Sequence, residues 1–187
     1  MIMGDDLKGA VELYLWKADY ALSDSAEHNA LWSATRVVTL KSNSLLWSKS
    51  LLERCLQTTG FPHLAKAHAY MATLLMEEQP RESIEHWQWA LYHGHNQQEA
   101  PQWRVRLATA LENEGDLDGA IDVWEEAIDD PESARVAHLA LGRIHLKRNP
   151  DVSLYHFQQA KELASSDQLR ATEIGADLAR YNLMNLE

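Results

Sequence analysis

The stretch "LATALENEGDLDGAIDVWEEAIDDP", residues 107 to 131, places small side chains among large ones in a regular order. Ala108 lies in its first half, Ala120 and Trp124 lie in its second half, and Gly115 separates the halves. Two antiparallel helices approach closely only where side chains are short, and large neighbours fill the space on either side. The stretch therefore predicts a helical hairpin that turns at Gly115.

The same order recurs in two other stretches, residues 71–91 and 141–161. When the three are aligned, small residues and one aromatic residue coincide: Ala72, Ala108 and Gly142; Ser83, Ala120 and Ser153; Trp87, Trp124 and Phe157; Ala90, Ala127 and Ala160. In the outer stretches Pro80 and Pro150 follow the predicted turn, where proline suits the first turn of a helix. The chain is therefore predicted to contain repeated helical hairpins.

The rest of the chain has the same helical character. Apolar residues recur at intervals of three and four almost throughout, and only 8 Gly and 5 Pro interrupt the 187 residues. The pattern predicts an all-α protein. Its helices are expected near 5–22, 27–41, 43–58, 62–78, 80–93, 101–114, 117–129, 134–148, 150–164 and 167–184.

Residues 101–134 resemble a tetratricopeptide repeat. The resemblance rests on Leu107, Ala108, Leu111, Gly115, Asp116, Ala120, Trp124, Ala127 and Pro131. The flanking stretches depart from the family's pattern, because His68 and His138 occupy the place of a large aromatic residue. The resemblance implies an α-solenoid, a right-handed superhelix of antiparallel helix pairs.

The expected organisation is a single helical-repeat domain over residues 1–187. Residues 1–60 form divergent N-terminal helices, 61–166 form about three repeats, and 167–187 form a capping helix. The stripe on that capping helix is Ala171, Ile174, Leu178 and Tyr181.

In the tetratricopeptide family the first helix of each pair lines a concave face that binds a partner. Transferred to this chain, that face would consist of Lys66, Tyr70, Thr73, Gln102, Arg106, Thr109, Asn113, Arg143 and Lys147. Arg106, Arg143 and Lys147 would form a basic strip in an acidic protein, suited to a protein or peptide partner that carries carboxylates. The alternative is a solvated helix face with ordinary charges. The leading hypothesis is a non-catalytic adaptor or scaffold.

Two other hypotheses follow from particular residues. If Trp16, Trp32, Trp47 and Trp89 are exposed, the chain is better explained as an obligate subunit or assembly factor of a larger complex. His86, His93 and His95 are weak candidates for a metal site, since His93-Gly94-His95 is flexible and His86 lies two helical turns earlier. His138 and His145 are expected to pack in the core instead.

Composition excludes several classes of function. The formal net charge of −11 disfavours nucleic acid as a partner, and no apolar run is long enough for membrane insertion. The first residues show no export signal, so a cytoplasmic location is expected. Cys55, the only cysteine, is expected to be a buried, inert thiol. No catalytic motif or cofactor-binding loop occurs, so neither an enzyme nor a cofactor is expected. The oligomeric state is left open.

Overall fold

A computed structural model describes residues 3–41, 45–164, 176–180 and 182 of the chain. Within them the regular structure is helical and contains no strand. The helices are α1 (Met3–Asp19), α2 (Asp24–Lys41), α3 (Leu45–Gln57), α4 (Leu64–Leu75), α5 (Pro80–Gly94), α6 (Ala100–Glu114), α7 (Leu117–Ile128), α8 (Ala134–His145) and α9 (Pro150–Glu162), followed by a helical stretch at 176–180. The all-α prediction is confirmed, and the helix ends differ from the predicted ones by a few residues.

Local chemistry sets the turns between paired helices. Gly115 adopts a left-handed conformation (φ 83°), and its N–H donates to the Glu112 carbonyl at the end of α6. Asp116 then caps α7 by accepting the Gly119 N–H at 3.1 Å. Before α9, the Asn149 side chain accepts the Val152 N–H, and Pro150 occupies the first turn. The sequence therefore stops one helix and starts the next at each of these points.

The chain divides into two compact units, residues 1–95 and 96–187. In the first unit α1 packs on α2, α2 on α3, α3 on α4 and α4 on α5. Its core contains residues from all four helices α1, α2, α3 and α4. Among them are Val11, Leu31, Leu52 and Met71, which are all nearly inaccessible to solvent.

In the second unit α6 packs on α7, α7 on α8 and α8 on α9. The helical stretch at 176–180 adds to this packing, because Ala176 and Ala179 are buried in one cluster with Phe157. Leu178, which was expected in the capping stripe, is instead 48% exposed, since the two alanines occupy the inner face. Ala171, Ile174 and Tyr181 lie outside the described residues.

The hairpins α4–α5, α6–α7 and α8–α9 share the register expected from the sequence. All of the aligned small and aromatic positions are buried in each hairpin. In α8–α9 a Cβ atom added to Gly142 would lie 2.9 Å from the Phe157 ring, which explains a glycine where the other hairpins have alanine. Small residues therefore mark the close approach of the two helices in each hairpin.

None of the helices in the described part of the chain combines the length and apolarity that a membrane span requires.

Candidate functional site

One row of polar side chains follows α6 from end to end. Gln102, Arg106, Thr109 and Asn113 recur at helical spacing, and all four are exposed. They therefore share one open face of the helix. Arg143 near the end of α8 and Lys147 in the turn that follows α8 are also exposed. We call the α6 row together with these two residues the α6/α8 face.

An ion pair joins the two helices of this face. An Arg143 guanidinium nitrogen lies 2.7 Å from Oε2 of Glu112 on α6. The other carboxylate oxygen of Glu112 accepts a 2.7 Å hydrogen bond from the indole N–H of Trp124 on α7. The Glu112 side chain is only 14% exposed, so its charge is held among three helices. The charge of Arg143 thus has a fixed partner within the protein, which sequence reasoning missed.

The three groove candidates of the first unit lie on α4 in different surroundings. Thr73 is exposed, whereas Tyr70 is half-buried and stacks on Trp32 at 5.7 Å between ring centroids. Lys66 is half-buried. Burial, followed by the charge of Lys66, lowers the pKa of His63. Tyr70 is thus a packing residue of the first unit, and of the three only Thr73 is fully on the surface.

Of the four tryptophans whose exposure would favour an assembly subunit, three are exposed and one is buried. Trp16, Trp47 and Trp89 are 58%, 41% and 50% exposed. Trp32 is buried and does not support that hypothesis, because it stacks on His63 and Tyr70 and meets the edge of Phe61.

Apolar or aromatic side chains lie next to each exposed tryptophan. The Trp16 ring lies 5.3 Å from that of Tyr20, which is also exposed. Trp47 borders an open cavity of about 310 Å³ whose apolar lining comes from Val11, Leu15 and Leu51. Among the residues that the structure describes, most exposed aromatic side chains therefore lie in the first unit, and Tyr155 is exposed in the second.

The α4–α5 hairpin contains a cluster of histidines. Nδ1 of His68 lies 2.9 Å from Nδ1 of His86, a hydrogen-bond distance. His93 stacks on His68 at 5.8 Å between centroids, and Trp89 stacks on both. Burial, followed by the neighbouring histidines, lowers the pKa of His68 to about 4, and burial lowers the pKa of His86.

The α8–α9 hairpin repeats this arrangement. Nδ1 of His138 lies 2.9 Å from Nδ1 of His156, and each pair spans 18 residues of sequence. His145 stacks on His156, and the ring of Tyr155 meets its edge. Burial lowers the pKa of His138, and burial with the two histidines lowers the pKa of His156 to about 4. Both members of this pair are buried, as expected for His138.

Sequence reasoning missed the two pairs, although a signal was present. His68 and His138 occupy one aligned position of the repeat, and His86 and His156 occupy another. These positions lie on facing helices of one hairpin, so the alignment brings the two rings together.

The candidate metal ligands are arranged differently from the sequence hypothesis. His86 and His93 approach His68, while His95 is exposed beyond the end of α5. Across the ranges described here, no set of three or more His, Cys, Asp or Glu side chains has the placement that a metal ion needs.

Cys55 lies in the core of the first unit. Its side chain is fully buried and its sulfur is 3.3 Å from the Thr35 hydroxyl. Burial raises the pKa of the thiol to about 11, so it is protonated at neutral pH. The expectation of a buried thiol is confirmed.

Comparison with known proteins adds no assignment. No protein-family model matches the chain, and none of the curated proteins matches it.

Proposed function

We propose that this protein is a non-catalytic adaptor that acts in the cytoplasm and binds an acidic segment of a partner protein on the α6/α8 face. The three hairpins would then be tetratricopeptide-like repeats of a right-handed superhelix. The shared buried register of the hairpins supports this, since a stack of such hairpins leaves one face of each first helix open.

The observation that carries the proposal is the exposed polar row on α6. A helix that packs on only one side retains an open face, and here that face offers amide donors at Gln102 and Asn113 and guanidinium donors at Arg106. These groups can donate hydrogen bonds to the carboxylates and carbonyls of an extended or helical segment.

The residues of the basic strip have different roles in this proposal. Arg143 positions α8 against α6 through Glu112, so its charge is partly neutralised within the protein. Arg106 is exposed on α6, Lys147 is exposed in the turn after α8, and in this proposal they supply the charge that selects an acidic partner. Because the whole chain carries a formal charge of −11, such selection must be short-ranged.

The test uses a partner that co-purifies with the full chain and the equilibrium dissociation constant of the complex. The double reversal Arg106→Glu/Lys147→Glu should weaken binding at least tenfold, because attraction is replaced by repulsion at the contact. It should also reduce the sensitivity of the remaining binding to salt. The matched control is Arg81→Glu/Lys161→Glu, which makes the same change of charge on exposed positions of α5 and α9. Equal affinities for the two variants would refute the proposed face.

A second candidate function is favoured by the exposure of Trp16, Trp47 and Trp89. Large aromatic side chains exposed on a protein surface are enriched at sites of interaction, and they suit a subunit that docks permanently in a larger assembly. In that case Trp16→Ala/Trp89→Ala should abolish co-purification of the partner while Arg106→Glu/Lys147→Glu leaves it unchanged. Leu22→Ala, which trims a fully exposed apolar side chain, is the control.

A further inference from the structure

The two histidine pairs repeat at aligned positions in hairpins of different units. In α4–α5 the pair is His68 with His86, and in α8–α9 it is His138 with His156. Both pairs have Nδ1 atoms 2.9 Å apart, and both have a third histidine stacked on one member. The arrangement is thus a recurring feature of the fold and includes none of the residues of the α6/α8 face.

The short distance limits how many of the two rings in each pair can be cationic. A hydrogen bond between two Nδ1 atoms needs one N–H donor and one unprotonated nitrogen as acceptor. When both rings are cationic, each Nδ1 carries a hydrogen, so the bond is lost and two like charges face each other. Each hairpin therefore tolerates at most one proton between the facing atoms.

In the first pair only His86 has neighbours that favour its protonation. Burial opposes protonation of both His68 and His86, and the charged groups acting on His86 are Glu82 and Glu85 of α5 and Lys49 of α3. The carboxylates of α5 favour protonated His86, while the lysine opposes it.

In the second pair, burial opposes protonation of both rings. The groups that act on His156 are His138 and His145 of α8, and both oppose its protonation.

We propose that the two histidine pairs form an acid-sensitive lock, which holds α4 to α5 and α8 to α9 at neutral pH and releases both hairpins on acidification.

The direction of the pH dependence follows from proton linkage. The pKa values of His68 and His156 are lowered from 6.5 to about 4 in the folded protein. As pH falls below 6.5 the unfolded chain binds protons first, so acid favours unfolding. The contribution of the pairs is complete above pH 6.5 and is lost progressively as pH falls towards about 4. This window lies above the ordinary titration range of carboxylates for most of its width.

The test is urea denaturation of the full chain at pH 7.5 and pH 5.0. The wild-type midpoint should fall on acidification. In His68→Asn/His156→Asn each pair retains one titratable ring and an uncharged hydrogen-bonding partner, so the fall should be less than half as large. His95→Asn, which removes an exposed histidine outside both pairs, should behave as wild type. If the double variant loses as much as wild type, the lock does not exist.

A measurement on the wild-type protein covers the case in which the double variant does not fold. Histidine resonances followed by NMR between pH 7.5 and 4 should show at most one protonated ring in each pair while native dispersion persists. Protonation of both His138 and His156 with the native spectrum retained would overturn the proposal.

Discussion

The α6–α7 hairpin and its two counterparts, α4–α5 and α8–α9, bury the same aligned positions but join their helices through different polar groups. In the counterparts, Ser83 and Ser153 each donate a 2.7 Å hydrogen bond to a backbone carbonyl of the facing helix. In α6–α7 that position is Ala120, and the helices are joined through Trp124 and Glu112.

The two aligned positions that carry the histidine pairs also differ between the hairpins. In α6–α7 they are occupied by Arg104 and Val123. Nε of Arg104 lies 3.7 Å from Oε2 of Glu126 on α7, and an arginine remains cationic at any physiological pH. Apolar packing is thus the common requirement of the hairpins, whereas their polar contacts vary and give them different responses to acid.

The largest expected effect is on the packing that the hairpins share. Trp124→Ala should lower the free energy of unfolding by about 3–5 kcal/mol, because it leaves a large cavity and removes the indole donor to Glu112. Glu125→Ala, one residue on and exposed, should change it by less than about 0.5 kcal/mol. Urea denaturation at pH 7.5 measures both, and equal stabilities would mean that this aromatic position is not a common core element.

A smaller loss should follow from enlarging the small residue at the close approach. Ala120→Leu should cost about 1–3 kcal/mol, since Ala120 is fully buried between α6 and α7 and the added methylenes have no space. Asp122→Leu introduces the same side chain at an exposed position of α7 and should leave the thermal midpoint nearly unchanged. A similar midpoint for both variants would show that the helices do not approach at Ala120.

Acidification should affect the two hairpins of the second unit differently. At pH 5.0, amide protection in α8–α9, corrected for intrinsic exchange, should fall more than tenfold relative to α6–α7, a difference of about 1.4 kcal/mol. The reason is that only α8–α9 contains a histidine pair at these aligned positions. Parallel loss of protection in both hairpins would mean that acid acts on the unit as a whole.

The fold was predictable because its signals are local and periodic. Gly115 with Asp116 defines one turn, Pro150 defines another, and the small residues give the register of the hairpins. The burial of Trp32 was not predictable, because it depends on stacking with His63 and Tyr70, which belong to a later part of the chain.

The candidate site was predictable only in part. The exposed row on α6 follows from helical periodicity alone. The partner of Arg143 does not, because Glu112 is 31 residues away and their contact depends on side-chain conformations across two helices. The histidine pairs were predictable in part. The repeat alignment places their members on facing helices, but sequence spacing alone does not predict the hydrogen bond between the two rings.

The smallest expected effect concerns the serine contacts that distinguish the outer hairpins. Ser83→Ala and Ser153→Ala should each cost about 1 kcal/mol, because each removes one buried hydrogen bond without creating a large cavity. Ser50→Ala, at an exposed position of α3, is the control and should be neutral. The reverse change, Ala120→Ser, should be tolerated within about 0.5 kcal/mol, since a hydroxyl there would face the carbonyl of Ala108, the counterpart of Ala72 and Gly142. If Ala120→Ser is instead as damaging as Ala120→Leu, the helices of α6–α7 are closer together than those of its counterparts. Ser83 and Ser153 would then require the wider helix spacing of their own hairpins, and serine could not replace alanine in α6–α7.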